Sequence, residues 1–588
     1  MSTIKPGDQV PDTTHPRPAV CVLVVALLIG VGLLRIVSTY HVFNHTIDEG
    51  AHLACGIQWF QNVYNYDQKH TPIARISVAL LPYLDGMRGF GDPTFWQEGV
   101  RLLSSGGHYW RNLTLARIGV LPYFVLATVV ILVWTTRVYG SATALLAAGI
   151  FTMLPVVLAH SAVATTDIPL TAFFVLAVYT FTRWLSAPGW RTAAAFGIAA
   201  GLAIATKLSA VAFLPPTMVG VLLLYYGSRR PAAATVHPDQ VRWGIGNMRG
   251  VARSVGVGLI CVVLVIWAAY RFSHAPVNQF SSVPDKVAAR IFGPESSATR
   301  GVRVLTARLQ LPVPELYSGL RDLRDINNVH PPSYMFGRVK DGGWWYFYPV
   351  GILFKTPLAV LLLAFLGSVS LFASWFRARV DWQRPVPVVA VLAILVTAAP
   401  TKLDIGVRHV MPVFAFLAML AAVGAVRLWS VRPARAHDSQ TESRAALLVR
   451  RAAVVILLAW FIVSSARAHP DYLSYFNELG GSNPANILVV SDVDWGQDFT
   501  RLAAYLSEQQ VKHISVAADN YFDPAALGFP ETIRLKCNDT ATGWIAVEER
   551  RARLHPECYQ WIASQPLQAY VGKTMRVYYL AEPPSGPR

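Results

Sequence analysis

The sequence predicts a polytopic α-helical membrane protein with a small α/β domain outside the membrane at its C-terminus. Hydrophobic residues make up 53% of the 588 positions and charged residues only 14%, against about 25% charged in ordinary soluble domains. Apolar runs recur along the chain, and a membrane-spanning helix needs about 20 such residues. A disordered chain, a collagen and a simple soluble enzyme are therefore excluded.

These runs predict about eleven spans, the first of which we interpret as a retained signal anchor. The predicted spans are 19–37, 113–135, 141–159, 168–185, 193–206, 208–226, 254–270, 349–374, 386–400, 407–426 and 452–466. The chain then divides into a cytoplasmic tail (1–18), a membrane domain (19–466) and an extracytoplasmic α/β domain (467–588).

Arginine-rich loops set the predicted orientation. The loops after the sixth, eighth and tenth spans carry many Arg residues and fall on one side, which is the cytoplasm by the positive-inside rule. The opposite side receives two outer loops, at 39–111 and 271–348, and the C-terminal domain. We therefore expect a multi-pass protein of the inner (plasma) membrane whose net charge of +17 needs no nucleic-acid partner.

The tail alternates strand-like and helix-like patterns, which predicts a small α/β fold. We expect strands at 487–491, 513–517, 544–547 and 575–580, and helices at 499–509 and 559–564. Cys537 and Cys558 share this polar region and can form a disulfide if the region is exported.

The first outer loop contains two adjacent acids, Asp48 and Glu49. In a helix Asp48 and His52 share a face, whereas Asp48 and Glu49 point about 100° apart. A carboxylate held here can serve as a general base. The alternatives are that both acids cap a helix, or that Glu49 and His52 bind a metal together with His45.

Cations and aromatic residues supply further candidates on the outer side. Lys69 and His70 precede a proline, and Lys355 and Arg408 stand at outer ends of spans, where they either snorkel to the interface or bind an anionic lipid headgroup. Asp167 begins the fourth span, either as a helix cap or as a substrate ligand. Three residues of the second outer loop belong to an interfacial belt or bind a sugar or lipid tail: His330, Tyr334 and Tyr346.

Asp492 and Asp494 form a D-x-D pair after a predicted strand. Such a pair can hold a metal ion and a nucleotide diphosphate. The sequence favours the plainer interpretation, in which these acids form the turn and the N-cap of the next helix.

The order and placement of several short motifs resemble the GT-C glycosyltransferases, in particular bacterial proteins similar to protein O-mannosyltransferases and the lipid A aminoarabinose transferase. The motifs are Asp48-Glu49, His70-Thr-Pro72, Thr166-Asp167-Ile-Pro169, Tyr346-Phe-Tyr-Pro349 with Lys355-Thr-Pro357, Gly406-Val-Arg408-His409 with Pro412, and Tyr475-Phe-Asn477-Glu478 with Asp494-Trp495-Gly-Gln497-Asp498. They extend from about residue 40 to about residue 500, so the resemblance covers most of the chain.

This resemblance implies an inverting glycosyltransferase of about eleven transmembrane helices that uses a polyprenyl-phosphate sugar donor. The acceptor is a hydroxyl of a protein, lipid or polysaccharide, and the surrounding membrane lipids are further partners. The implied catalytic residues are Asp48 as the base and Glu49. The implied ligands of the donor phosphate are Lys69, His70, Lys355 and Arg408. The implied substrate-binding residues are His52, Asp167, His330, Tyr334 and Tyr346.

No cofactor is certain from the sequence, and a divalent metal stays an alternative without assigned ligands. Two other functions are also open. One is a transporter or lipid flippase of the cell envelope, for which the proline pair within the sixth span is the one broken-helix feature. The other is a non-catalytic envelope scaffold with the tail as its binding module.

Overall fold

The structure is a computed structural model that describes residues 18–63, 71–228, 248–280, 283–378, 381–430 and 444–582. Its α-helices are α1 (Pro18–Val37), α2 (Ile47–Gln61), α3 (Pro72–Leu84), α4 (Phe95–Ser104), α5 (Tyr109–Ile118), α6 (Leu121–Tyr139), α7 (Ser141–Met153), α8 (Pro155–Ser161), α9 (Asp167–Ser186), α10 (Trp190–Ile204), α11 (Ser209–Gly227), α12 (Met248–Ala269), α13 (Val277–Phe280), α14 (Val283–Phe292), α15 (Ser297–Arg308), α16 (Pro314–Val329), α17 (Phe347–Lys355), α18 (Leu358–Ala378), α19 (Val386–Ala398), α20 (Pro412–Trp429), α21 (Arg444–Arg467), α22 (Phe499–Glu508), α23 (Glu549–Leu554) and α24 (Gln560–Ala563). Its strands are β1 (His274–Pro276), β2 (Gln310–Pro312), β3 (Pro332–Met335), β4 (Arg338–Asp341), β5 (His513–Ala517), β6 (Glu531–Arg534), β7 (Gly543–Glu548), β8 (Ala569–Val571) and β9 (Met575–Leu580).

Every predicted span coincides with a helix or with two consecutive helices. Among the described residues, eight helical segments are long and apolar enough to cross a membrane, and the bent pair of α7 and α8 makes a ninth. The two remaining predicted spans are the shorter apolar helices α10 and α19. The polytopic helical fold class is confirmed, and the count of eleven stays a prediction.

Helix α20 lies at the centre of the membrane domain. Its residues 412–425 are all buried, and it packs against α7, α9, α18 and α19. A helix that is apolar all round is typical of such a position. Gly424 of α20 lies against the Leu363 carbonyl of α18, and Gly367 of α18 lies against the Leu420 carbonyl. The absence of side chains on these two glycines lets the backbones approach closely, as small residues do between membrane helices.

The C-terminal domain contains a five-stranded mixed sheet in the order β6-β5-β7-β9-β8. Strand β5 pairs in parallel with β6 and β7, and β9 runs antiparallel to β7 and β8. The predicted small α/β domain is therefore present. Cys537 and Cys558 form a disulfide within it.

Three details of the tail differ from the sequence prediction. Residues 487–491 are not a strand, because the Val489 carbonyl accepts hydrogen bonds from the N–H groups of Asp492 and Val493 in a tight turn. The buried apolar run there was indistinguishable from a core strand by pattern alone. The short strands β6 and β8 were not predicted, and the helix expected at 559–564 is a 3₁₀ turn (Pro556–Tyr559) followed by α24.

Substitution of Gly367 by Leu should destabilise the membrane domain. The new side chain would overlap the Leu420 carbonyl, so α18 and α20 must separate, and overpacking of this kind costs about 1–3 kcal/mol. Gly30→Leu on α1 is the matched control, because nothing lies within 4 Å of a Cβ atom at that position. Thermal unfolding of the purified proteins in detergent measures the difference. Equal melting temperatures for both variants would contradict the close packing of these helices.

Candidate active site

Glu49 is a buried acid at the start of α2. It closes a capping box with Thr46, the residue before the helix, whose N–H donates to Glu49 Oε2 at 2.7 Å. The Ala164 N–H donates to Oε1 at 2.8 Å. Arg117 of α5 donates to both oxygens, from Nε at 2.8 Å and from Nη2 at 3.0 Å. Glu49 is 1% exposed, and its two carboxylate oxygens accept four hydrogen bonds from these partners.

The charge state of Glu49 follows from the same contacts. Burial raises the pKa of the Glu49 carboxyl, but Arg117 and the two backbone donors outweigh burial and hold the pKa below its ordinary value. Arg117 also donates to the backbone carbonyls of Tyr40, Phe43 and Asn44. This buried ion pair therefore fixes the connection between α1 and α2.

Asp48 points away from that pair, since successive residues of a helix lie about 100° apart. Its side chain is 23% exposed, and Arg408 Nη1 donates to Asp48 Oδ2 at 2.6 Å. The Arg408 guanidinium lies 4.2 Å from the ring centroid of Trp495. Within the described part of the chain, Arg408 Nε makes no hydrogen bond. A partly exposed carboxylate and a cation with a free donor thus meet at one point.

A second ion pair lies beside the first. Asp167, the first residue of α9, is buried and accepts a hydrogen bond from Lys207 Nζ at 2.5 Å. His160 Nδ1 lies 3.7 Å from Asp167 Oδ2, and the His160 ring centroid is 5.8 Å from that of Trp495. The Trp495 ring therefore lies near both His160 and Arg408. Asp167 thus begins a helix, as predicted. We call Asp48, Arg408, Asp167 and Lys207 the charged cluster.

The C-terminal segment closes the site through the motif at 494–498. The Ile47 N–H donates to the Trp495 carbonyl at 3.1 Å. The Gly496 carbonyl accepts from Asn44 Nδ2 at 2.7 Å and from Asn520 Nδ2 at 3.0 Å. Ile47 at the start of α2 and Asn44 just before it are therefore both hydrogen-bonded to the tail.

The acids of this motif are engaged in local structure. Asp494 accepts hydrogen bonds from the backbone N–H groups of Gly496 and Arg550, each at 2.9 Å. Asp498 precedes α22 and accepts from the Lys573 N–H at 2.8 Å. This geometry agrees with the predicted turn. No group of three His, Cys, Asp or Glu side chains that could hold a metal ion occurs among the described residues.

Lys355 is buried at the end of α17. Its Nζ donates to the carbonyls of Leu473 and Asp492, both at 2.6 Å, and lies 4.6 Å from the ring centroid of Phe476. An ammonium group has three donors, so these carbonyls use two of them. The contact ties the membrane domain to the tail, and a role for Lys355 in phosphate binding stays a prediction.

Three other predicted residues come from the first outer loop. Lys69 and His70 lie outside the described residues. His52 follows Asp48 by one turn of α2 and is buried. Burial, followed by the charge of Arg75, lowers the pKa of His52 well below its ordinary value. A neutral imidazole therefore lies next to the charged cluster.

The predicted residues of the second outer loop are dispersed. His330 is exposed just after α16, Tyr334 is buried against the C-terminal domain, and Tyr346 immediately precedes α17. In the parts of the chain that the structure describes, none of them forms a hydrogen bond or ion pair with Asp48 or Arg408. Their substrate-binding roles stay predictions.

The sequence pattern assigned no function to Arg117, His160 or Trp495, and it placed Lys207 only among the cations at outer span ends, which either snorkel or bind an anionic lipid headgroup. Arg117 carried a usable signal, because it lies within the predicted span 113–135 and charges at membrane depth are costly. The other three are brought together by tertiary contacts between distant segments. Spacing along the sequence could not reveal those contacts.

Comparison with known proteins finds one matching family and several similar structures. The family described as dolichyl-phosphate-mannose-protein mannosyltransferase matches residues 28–243, a range that includes both acids of α2, Arg117, Asp167 and Lys207. No curated protein sequence matches the chain significantly.

The similar structures share little sequence with the chain. ArnT from Cupriavidus metallidurans, bound to undecaprenyl phosphate, is 14% identical with a TM-score of 0.46, and the match covers 96% of this chain and 99% of that one. The Archaeoglobus fulgidus oligosaccharyltransferase is 14% identical with a TM-score of 0.46, over 88% of this chain and 65% of that one. The S. cerevisiae protein O-mannosyltransferase complex, bound to its sugar donor, is 16% identical with a TM-score of 0.32, over 44% and 33%.

The helical membrane fold, the charged cluster and the matching family define a class of protein. The match to the mannosyltransferase family over residues 28–243 confirms the predicted resemblance to the GT-C glycosyltransferases. The transporter and the scaffold gain no support from the match.

Glu49→Gln should strongly destabilise the protein. The amide keeps the shape of the side chain but leaves the Arg117 guanidinium buried without a counter-charge, which costs about 3–5 kcal/mol. Glu98→Gln is the matched control, because Glu98 is equally buried and accepts from the backbone N–H groups of Phe90 and Asp92 instead of from an arginine. Melting temperatures of the detergent-purified variants test this contrast. A Glu49 variant no less stable than the Glu98 variant would show that the ion pair is unimportant.

Stability should fall as the pH rises from about 5 to about 8. Burial raises the pKa of Asp492 to about 6 and that of Asp494 to about 7. Both carboxyls hold protons more tightly when folded, so their stabilising contribution is complete below about pH 4 and is lost as the pH rises through these values. Asp492→Asn should make the melting temperature depend less on pH. Glu508→Gln, at an exposed position, should leave that dependence unchanged. If the Asp492 variant shows the same dependence of melting temperature on pH as wild type, the Asp492 carboxyl does not cause the loss of stability.

Proposed function

We propose that the chain transfers a sugar, with inversion, from a polyprenyl-phosphate-linked donor to an acceptor hydroxyl on the outer face of the membrane. The observation that carries this proposal is the pair of Asp48 and Arg408, which joins a partly exposed carboxylate to a cation beside the Trp495 ring. The family match to phosphate-carrier-dependent mannosyltransferases supports the same donor class.

Asp48 is the proposed general base. Its carboxylate is 23% exposed, whereas that of Glu49 is 1% exposed and bonded to Arg117. A base must come within hydrogen-bond reach of the proton that it removes, and only Asp48 of these two acids can do so. Glu49 acts as a positioning residue that fixes the start of α2. The geometry therefore favours Asp48 alone as the base, although the sequence predicted both acids as catalytic.

The proposed reaction is a single displacement. Asp48 takes the proton of the acceptor hydroxyl as the hydroxyl oxygen forms a bond to the anomeric carbon. The bond between that carbon and the phosphate oxygen breaks, and its electron pair leaves on the polyprenyl phosphate. Attack on the face opposite the leaving group inverts the configuration.

Arg408 is the proposed ligand of the donor phosphate. A fixed cation stabilises the negative charge that develops on the leaving group, and guanidinium groups suit phosphate oxygens. Arg408 uses Nη1 on Asp48 and keeps Nε free of hydrogen bonds within the described residues. Stacking on Trp495 fixes the plane of the guanidinium. The other proposed phosphate ligands are Lys69, His70 and Lys355.

Asp167 and Lys207 supply a second fixed pair of charges beside this centre. Lys207 neutralises Asp167, and the Asp167 charge also acts on Arg408. We assign to Asp167 the positioning of these cations at the donor side of the site. The cations of the chain are the proposed stabilisers of the leaving group, and a divalent metal stays an alternative.

Two observations support an outer location in the inner membrane. Asp167 and Arg408 lie at the N-terminal ends of α9 and α20, whereas Arg427 and Arg450 lie at the opposite ends of α20 and α21, as the positive-inside rule expects for the cytoplasmic side. The disulfide of the C-terminal domain is typical of an oxidising compartment.

The test is sugar transfer by the full chain in lipid vesicles, with a panel of radiolabelled polyprenyl-phosphate sugars and a crude envelope extract as acceptor. We expect Asp48→Asn to lower transfer by about 10²–10⁴-fold, the range typical of a lost general base. Asp85→Asn is the matched control, because Asp85 also bonds an arginine, Arg111, at a partly exposed position.

Each other outcome of this experiment has a defined meaning. Equal transfer by wild type and by the folded Asp48 variant would remove Asp48 as the base and keep the enzyme. No release of label from any donor by folded wild type would contradict the proposed donor class. The fraction of the extract that receives the label identifies the acceptor as protein, lipid or polysaccharide.

A further inference from the structure

A long groove lies between α1, α7 and α21 in the membrane domain. Its volume is about 720 Å³, and apolar side chains such as Leu28, Ile150 and Phe461 line most of it. Ile462 and Leu34 are exposed along its edges, so the groove opens to the lipid that surrounds the spans. Its lining shares no residue with the charged cluster of the candidate active site.

One end of the groove is polar and positively charged. Arg35, in the last turn of α1, lines it together with Ser38 and His469. Arg35 Nε donates to the Tyr472 hydroxyl at 2.9 Å, and its Nη1 and Nη2 donate to Ser465 Oγ and the Ser465 carbonyl at 2.9 and 2.5 Å. Within the described chain, no carboxylate lies within ion-pair distance of Arg35.

A charged residue at the edge of a membrane segment normally has a counter-charge or reaches a polar interface. The partners of Arg35 are neutral, and they hold the guanidinium at the mouth of an apolar groove. The cation and the groove together match an amphipathic molecule with an anionic head and an apolar tail. Charge-assisted hydrogen bonds from arginine to phosphate provide the affinity for the head.

We infer that the groove binds one acyl chain of an anionic phospholipid of the surrounding bilayer, with the phosphate headgroup at Arg35. The volume lies within the range of about 300–1,000 Å³ that is typical of sites for small ligands. The lipid is distinct from the sugar donor of the proposed function, since the groove shares no lining residue with the charged cluster.

Bound lipid would stabilise the junction of three helices. Arg35 on α1 and Ser465 on α21 already bond to each other, and Ser465 Oγ also donates to the Met153 carbonyl of α7 at 2.5 Å. A ligand that fills the groove adds contacts to all three helices in the folded state. Binding to the folded state alone raises the melting temperature.

Two glycine variants form a matched pair for testing this inference. A Cβ atom on Gly149 of α7 would lie 3.7 Å from the Leu28 methyl groups, at ordinary contact distance, so Phe at this position enters the groove without meeting backbone. Gly256 of α12 has nothing within 4 Å of a Cβ atom and does not line the groove. Gly149→Phe and Gly256→Phe therefore make the same change inside and outside the proposed site.

The experiment measures phospholipid retained by the full purified chain by native mass spectrometry, together with its melting temperature in detergent. Phosphatidylglycerol, phosphatidylcholine with the same chains, and undecaprenyl phosphate are added separately. We expect wild type and Gly256→Phe to retain phosphatidylglycerol and to gain several degrees of stability. Gly149→Phe should retain about tenfold less, which corresponds to about 1.4 kcal/mol.

Three outcomes would overturn the inference. Equal retention by Gly149→Phe and Gly256→Phe would place the lipid elsewhere. Equal retention of phosphatidylglycerol and phosphatidylcholine by wild type, with equal gains in melting temperature, would contradict the contact between Arg35 and an anionic headgroup. This comparison holds even if the Gly149 variant fails to fold. Displacement of phosphatidylglycerol by undecaprenyl phosphate would assign the groove to the tail of a polyprenyl carrier.

Discussion

The buried ion pair of Glu49 and Arg117 is the constraint on which the geometry of the site depends. A buried charge must be paired, because neither ion has water to replace its partner. Here the guanidinium also binds three carbonyls of the chain between α1 and α2, and the carboxylate binds two backbone donors at the start of α2 and before α9. The pair therefore sets the rotation of α2 about its axis, and that rotation turns Asp48 toward Arg408.

The two adjacent acids have different environments, which separates the structural role of Glu49 from the catalytic role that we propose for Asp48. The lone pairs of the Glu49 carboxylate are occupied by fixed donors, so it has no capacity to accept a proton from a substrate. Asp48 has one arginine partner and remains partly exposed. The cation that holds Asp48 also faces the charge of Asp167, so each carboxylate near the site is balanced by a cation before any substrate binds.

The sequence was sufficient for the elements that depend on local composition. Each apolar run predicted as a span coincides with helical structure, and the period of two located β5 and β9 at their observed bounds. Adjacent acids and a proline-bounded aspartate located Asp48 and Asp167. Pairings across the chain were not predictable: nothing in the spacing shows that Arg117 pairs with Glu49 or that Trp495 stacks on Arg408. The apolar run at 487–491 also misled, because a buried turn and a core strand have the same hydrophobic pattern.

The contacts of Trp495 show why the C-terminal domain is part of the site and not an appended module. Its carbonyl receives the Ile47 N–H at the start of α2, and its ring lies against the Arg408 guanidinium. Lys355 makes the reciprocal contact, since an ammonium from the membrane domain binds carbonyls of the tail. The ring of Trp495 restrains the orientation of the Arg408 guanidinium, and the proposed phosphate contact requires such a restraint. Docking of the tail therefore contributes to the geometry of the candidate site, which couples the stability of the C-terminal domain to the placement of Arg408 and of the start of α2.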